Sequence, residues 1–172
     1  MRQQHVIGRQ DIADFPELKL ENVEVKIDTG AYTSSFHCHA IRLEDHDGRE
    51  RLHCLFLDPG HERYSSRNVV FERFSLKKVR SSNGLMEERF SVETTIRLFN
   101  RMFPIELTLT ERGNMRFPVL LGRKFLSRRF VVDPCRKNMS ARGKFRTVIK
   151  AIQMSGTGDS RMKSRYSAGS LP

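Results

Sequence analysis

The chain is patterned mainly by alternation of apolar and polar residues, which predicts β-strands rather than helices. Val23, Val25 and Ile27 fall on one face of a predicted strand, with charged residues between them. Further strands are predicted over 5–9, 34–43, 51–57, 69–80, 89–99, 103–110, 119–121 and 130–134. Many short strands at close spacing are typical of a barrel or a sandwich. We therefore predict an all-β fold.

Turn residues separate these strands. Residues 11–20, which contain Phe15-Pro16, are predicted to form a connection, and 44–48 to form a hairpin turn ending in Asp-Gly. Asp58-Pro59-Gly60 ends one strand and Ser81-Ser82-Asn83-Gly84 predicts another turn. One short helix is predicted over 124–128.

The chain has 172 residues, which predicts a single folded domain, placed at 1–150. From 151 to 172 the sequence is rich in serine, glycine, arginine and lysine, and we predict a disordered basic tail. Net charge is +11, so non-specific binding to nucleic acid stays open, although no RNA- or DNA-binding motif is present.

The sequence also predicts the compartment. It has no run of about 18 apolar residues, so no transmembrane helix and no membrane association are expected. The N-terminus leads into no apolar signal region, and the three cysteines form no CxxC pair. Reduced thiols and a cytoplasmic location are therefore expected.

The candidate chemistry lies at Asp28-Thr29-Gly30, directly after the strand over 23–27. Gly30 would let the chain turn sharply beneath the Asp28 carboxylate. The Thr29 hydroxyl could form a hydrogen bond across a dimer axis or to the local backbone. Two aspartates about 3 Å apart share one proton, so that one acts as base and the other as acid on an attacking water. The tripeptide occurs once, so such a site needs two chains. Alone, the tripeptide is also an ordinary turn.

A second segment strengthens this interpretation. Val119-Leu120-Leu121 is apolar and is followed by Gly122-Arg123, which alone predicts a buried strand ended by glycine. Taken with Asp28-Thr29-Gly30-Ala31, it resembles the second signature element of retropepsin-like aspartic proteases. Segments 26–37, 81–84, 115–126 and 131–134 are similar to the bacterial retropepsin-like family labelled ATP-dependent zinc protease. This resemblance covers residues 5 to 140.

The resemblance implies a retropepsin-like closed β-barrel with one short helix, working as a homodimer on a peptide or protein substrate. It also implies a β-hairpin flap over the substrate, with residues 81–84 near its tip, and an ATP-grasp ligase as a candidate partner. The residues it implies are as follows: Asp28, Thr29 and Gly30 as catalytic, and Ala31, Ser82, Asn83, Gly84, Gly122 and Arg123 as substrate-binding.

The zinc and ATP in that label have little support among the residues. No Walker A pattern and no H-E-x-x-H occur in the sequence. His37 and His39 would share one face of a strand, and His53 across a hairpin could complete a tetrahedral zinc site. The alternative is that these are ordinary strand residues, with Cys38 buried between them. No cofactor or metal is assigned.

The predicted function is that of an aspartic endopeptidase. A non-catalytic barrel that binds an acidic or glutamate-modified protein partner is the alternative, and a zinc-dependent hydrolase is a third. The basic residues Arg80, Arg89, Arg123 and Lys124 would favour acidic substrates, although a solvated charged surface also explains them.

Overall fold

The structure is a computed structural model that describes residues 4–80, 84–111 and 116–144. The tail predicted over 151–172 lies outside the described residues, as do Ser82 and Asn83 of the predicted substrate-binding set.

Eleven strands, a 3-10 helix (Pro16–Leu18) and a short α-helix are present in the described part of the chain, and residues 139–144 are also helical. In chain order the strands and the short α-helix are β1 (His5–Ile7), β2 (Gln10–Phe15), β3 (Leu20–Ile27), β4 (Ser34–His46), β5 (Arg49–Phe56), β6 (Asn68–Phe71), β7 (Ser75–Arg80), β8 (Met86–Leu98), β9 (Arg101–Thr110), β10 (Val119–Leu121), α1 (Arg123–Leu126) and β11 (Phe130–Val132).

The main sheet closes on itself. Its strands run in the order β10-β3-β2-β8-β9-β4-β5-β6, and β10 pairs with β4 as well as with β3. The strands from β10 to β4 therefore form a ring of six, while β5 and β6 extend it and β7 pairs with β8. Strands β1 and β11 form a separate parallel pair. The predicted all-β fold with a short helix is confirmed.

The core fills the inside of this ring. Val23 and Val25 are fully buried and Ile27 is nearly so, as the alternating pattern of β3 predicts. Phe36 packs between two other phenylalanines, with ring centroids 4.9 Å from Phe15 and 4.8 Å from Phe56. Strand β10 pairs with both β3 and β4, so it lies between them where the loop after β3 begins.

The connection predicted over 11–20 is wrong, because 10–15 form a buried strand. Asp11 is only 1% exposed, and its carboxylate accepts N–H bonds from Ser140 at 2.8 Å and Ala141 at 3.1 Å. Burial raises the pKa of Asp11, and the backbone donors oppose that rise. These partners begin a helical segment over 139–144, which the sequence did not predict.

Other differences are smaller. The strand predicted over 69–80 is two strands, β6 and β7, separated by residues 72–74. The helix predicted over 124–128 is Arg123–Leu126. The predicted hairpin turn narrows to Asp47-Gly48, both with positive φ as a tight turn between antiparallel strands requires. Within the described ranges no helix is long and apolar enough to cross a membrane.

Candidate active site

The loop after β3 places the Asp28 carboxylate at the end of the barrel. The Asp28 N–H donates to the Leu121 carbonyl at 2.9 Å, so the loop begins bonded to β10. Its Oδ1 accepts the N–H of Gly30 at 3.1 Å and of Ala31 at 3.2 Å. The carboxylate is half-buried, and these two donors fix its orientation while leaving it accessible.

Gly30 is needed for a different reason from the one the sequence predicted. Its φ is not in the left-handed region, so the turn does not depend on a conformation closed to other residues. A Cβ at this position would lie 3.3 Å from Asp28 Oδ1. The glycine therefore lets the backbone approach the carboxylate closely and donate to it.

The second motif, 119–123, lies against the Asp28 loop and is hydrogen-bonded to it. The N–H groups of Arg123 and Lys124 donate to the carbonyls of Ala31 and Tyr32, each at 2.9 Å. Gly122 N–H donates to the buried Ser34 hydroxyl at 3.0 Å. The predicted strand and its glycine thus lie beside the Asp28 loop, and backbone N–H groups at the start of α1 hold that loop in place.

Arg123 also contacts the loop with its side chain. Its Nη1 donates to the carbonyls of Thr29 and Gly30, both at 2.8 Å. The sequence predicted Arg123 as a substrate-binding residue, but its guanidinium is engaged with the loop itself. Its role in the described structure is to hold the two residues that follow Asp28.

Strand β7 and the first half of β8 form a hairpin over this loop. We call the paired segments 75–80 and 86–91 the flap hairpin. Together with the Asp28 loop they line a cleft of about 680 Å³. Gly84, the one described residue of the predicted 81–84 turn, has a φ of 81° and does not line the cleft. The rest of the predicted flap tip, residues 81–83, lies outside the described residues.

The cleft is strongly basic. Lys78, Arg80, Arg89 and Arg123 line it, and Asp28 carries the one carboxylate among its described lining residues. Arg89 pairs with Glu87 at 2.6 Å. Lys78 is a lining residue that the sequence analysis missed, because an exposed lysine on a strand gives no local sign of what it faces.

The histidines do not assemble around a common centre with His53. His37 Nε2 lies 2.9 Å and His39 Nδ1 3.5 Å from Asp58 Oδ1. His53 instead lies 2.7 Å from the side-chain amide of Asn68. A bulge after Cys38 shifts the strand register between the histidines and the facing strand. Within the part of the chain that the structure describes, no group of three or more His, Cys, Asp or Glu side chains is placed to hold a metal ion.

Asp58 is electrostatically tied to this pair of histidines. The close contact of its carboxylate with His37 is the largest cause of a pKa held below the usual value, and His39 adds to the lowering. The carboxylate is about two-fifths exposed, so the interaction is partly screened by water.

Comparisons with known proteins agree with this geometry. Residues 6–143 match the family model of the retropepsin-like aspartic endopeptidase RimB, described as RimB-like. Two relatives, from Desulfotalea psychrophila and Shewanella halifaxensis, are each named "Probable alpha-L-glutamate ligase" and are 34% and 32% identical over 133 residues. That match covers 75% of this chain but only 28% of each relative, so the chain spans little more than a quarter of their length.

A solved structure shares the fold. It is a Legionella pneumophila protein of unknown function, with a TM-score of 0.58 and 21% identity. The similarity covers 80% of this chain and 99% of that one. The family match spans the barrel and both braced motifs, and the chain belongs to the RimB-like family of retropepsin-like aspartic endopeptidases.

Proposed function

We propose that this protein is an aspartic endopeptidase that hydrolyses a peptide bond with water activated between the Asp28 carboxylates of a homodimer. The observation that carries the proposal is the Asp28 loop. Backbone N–H groups orient the Asp28 carboxylate, and hydrogen bonds to β10 and α1 hold the loop. The loop lines a cleft together with the flap hairpin.

The chemistry needs two carboxylates. One ionised Asp28 takes a proton from water as that water attacks the carbonyl carbon, and the protonated partner donates to the carbonyl oxygen. The pair titrates as a unit. Since Asp28 is the one carboxylate among the described residues lining the cleft, a second chain has to supply the other. This is the reason for proposing a homodimer.

The other predicted site residues have supporting roles. Gly30 and Ala31 orient Asp28 through their N–H groups, and Arg123 holds the carbonyls of Thr29 and Gly30. A substrate would lie as an extended strand between the loop and the flap hairpin and bind through backbone hydrogen bonds. Of the predicted substrate-binding residues, Ala31 lines the cleft, and we place it along that strand.

We propose an acidic peptide as substrate. Lys78 and Arg80 line the cleft and form no ion pair with any residue that the structure describes, so they can attract carboxylates. The relatives named probable glutamate ligases contain a region similar to this chain, which supports a glutamate-containing substrate. We further propose an ATP-grasp ligase as a partner and a cytoplasmic location, both expected from the sequence.

A non-catalytic module that binds an acidic or glutamate-modified protein is the second candidate, because the same basic cleft supports it. Measuring the size of the protein at micromolar concentration separates the two candidates. A strict monomer cannot bring two Asp28 carboxylates together. The zinc-dependent hydrolase named by the family label stays a third candidate, and chelator sensitivity tests it.

The experiment that tests the proposal is cleavage of a peptide library that includes glutamate-rich members, by wild type and Asp28→Asn, with and without a chelator. We expect activity that the mutation removes and the chelator does not. Full activity in Asp28→Asn would refute the aspartic mechanism.

A charge reversal tests the substrate class. Arg80→Glu should lower kcat/KM for acidic peptides by about tenfold, because it replaces attraction in the cleft with repulsion. It should leave cleavage of neutral peptides within about twofold of wild type. An equal loss on both kinds of peptide would exclude a role of Arg80 in recognising acidic side chains.

A further inference from the structure

One carboxylate, that of Glu106, is shared by three elements of the fold. It projects from β9 and accepts a hydrogen bond from the Ser91 hydroxyl of β8 at 2.9 Å. Lys77 of the flap hairpin binds its Oε1, and Lys124 of α1 binds its Oε2. The two lysines lie 47 residues apart in sequence and meet at this side chain, so Glu106 links the flap hairpin to the helix.

Each lysine is next to a residue of the candidate active site. Lys77 precedes Lys78, which lines the cleft from the flap side. Lys124 follows Arg123, and its N–H donates to the carbonyl of Tyr32 in the Asp28 loop. The flap hairpin is therefore connected to the Asp28 loop through the Lys77–Glu106 and Glu106–Lys124 ion pairs.

The Glu106 side chain is only 16% exposed, while Lys77 is 34% and Lys124 48% exposed. A carboxylate so far removed from water is costly without cations. It therefore holds both lysines, and β7 gains an anchor to the barrel. In the described part of the chain, β7 pairs only with β8, so this anchor matters for its position.

We propose that Glu106 is a positioning residue that fixes the flap hairpin relative to the Asp28 loop. A role of Glu106 in catalysis rests on the proposed function. The link that Glu106 makes between the flap hairpin and α1 is a property of the folded protein alone. It can therefore be measured whether or not a substrate is known.

The direct test is hydrogen exchange in Glu106→Gln. Two sets of amides report: those of 75–80 in the flap hairpin, and those of Arg123 and Lys124, which donate to the loop. We expect both sets to exchange about tenfold faster. Glu93→Gln is the matched control, because Glu93 faces Glu106 across β8 and β9 and is exposed. It should change either set by less than about twofold. Acceleration of one set alone, or of neither, would overturn the proposal.

A second test does not require the Glu106 variant to fold. One lysine is enough to neutralise the carboxylate, so Lys77→Met and Lys124→Met should each destabilise the protein slightly. The double variant leaves Glu106 buried without a cation, and its destabilisation should clearly exceed the sum of the two. A sum that matches within error would show that the lysines act independently and would overturn the proposal.

With a cleaved peptide in hand, Glu106→Gln should raise KM about tenfold, because a loosened flap holds substrate less well. Glu93→Gln should leave KM unchanged. If wild type cleaves nothing, the endopeptidase proposal fails while the exchange result still decides the role of Glu106. If KM is unchanged in an active Glu106→Gln, the positioning role is refuted.

Discussion

The Gly122→Ala variant tests how the Asp28 loop is held. An added Cβ would lie 2.7 Å from the carbonyl oxygen of Tyr32 and closer still to that of Thr33. Both are backbone atoms, so the clash cannot be relieved by rotating a side chain. The loop has to move away from α1 by several tenths of an ångström or more, which strains the bonds that Arg123 and Lys124 donate to it.

The magnitude follows from these contacts. Overpacking of this kind costs about 2 kcal/mol, and one lost hydrogen bond adds about 1 kcal/mol. We therefore expect a loss on the order of 3 kcal/mol in the free energy of unfolding. For a protein of this size the loss corresponds to a fall in Tm of about 6–12 °C.

The free energy of unfolding and the Tm are measured by urea unfolding and thermal melting of Gly122→Ala and of Gly60→Ala. Gly60 is the matched control, because an added Cβ there meets nothing within 4 Å and its φ is not in the left-handed region. It should unfold within about 0.5 kcal/mol of wild type. Equal stability of the two variants would refute the claim that the close approach of Gly122 holds the loop.

Two further predictions concern charged side chains. Arg123→Met should lose only about 1 kcal/mol of stability, because the hydrogen bonds that Arg123 donates to the loop are exposed to water. It should lose most peptidase activity, because those bonds hold the residues that follow Asp28. Arg128→Met, which changes an exposed neighbour, should match wild type in both assays. The pKa of Asp58 is lowered chiefly by His37, so its stabilising contribution is present above the ordinary aspartate value and is lost as the pH falls through the lowered one. Unfolding measured from about pH 6 to pH 3 should therefore show a shallower loss of stability in Asp58→Asn than in wild type. The exposed control Glu24→Gln should keep the wild-type slope, and an unchanged slope in Asp58→Asn would contradict the interpretation.

The strands could be predicted because their information is local. The alternation in β3 is visible in five residues, and Asp47-Gly48 specifies its own turn. Strand β2 could not be predicted, since Asp11 is a turn residue in most contexts. The Asp11 carboxylate can be buried because the backbone N–H groups of Ser140 and Ala141, far along the chain, donate hydrogen bonds to it.

The same division applies to the site. Asp28 and Gly122 stand in short motifs, so both could be identified from the sequence as candidate site residues. The contact of Arg123 with the Thr29 carbonyl, the cleft position of Lys78 and the shared Glu106 carboxylate were missed. Each depends on how separate elements pack against one another, and no local pattern encodes that packing.

The most direct measurement of the central claim uses mixed subunits. Wild type and Asp28→Asn are combined in equal amounts, unfolded and refolded together, and assayed for peptide cleavage. If catalysis needs two Asp28 carboxylates, random pairing leaves about one quarter of the dimers active. Activity per total protein should then fall to about a quarter of wild type, with the mixed dimers silent. A fall to only about one half would mean that each chain works alone, and it would contradict the two-carboxylate mechanism.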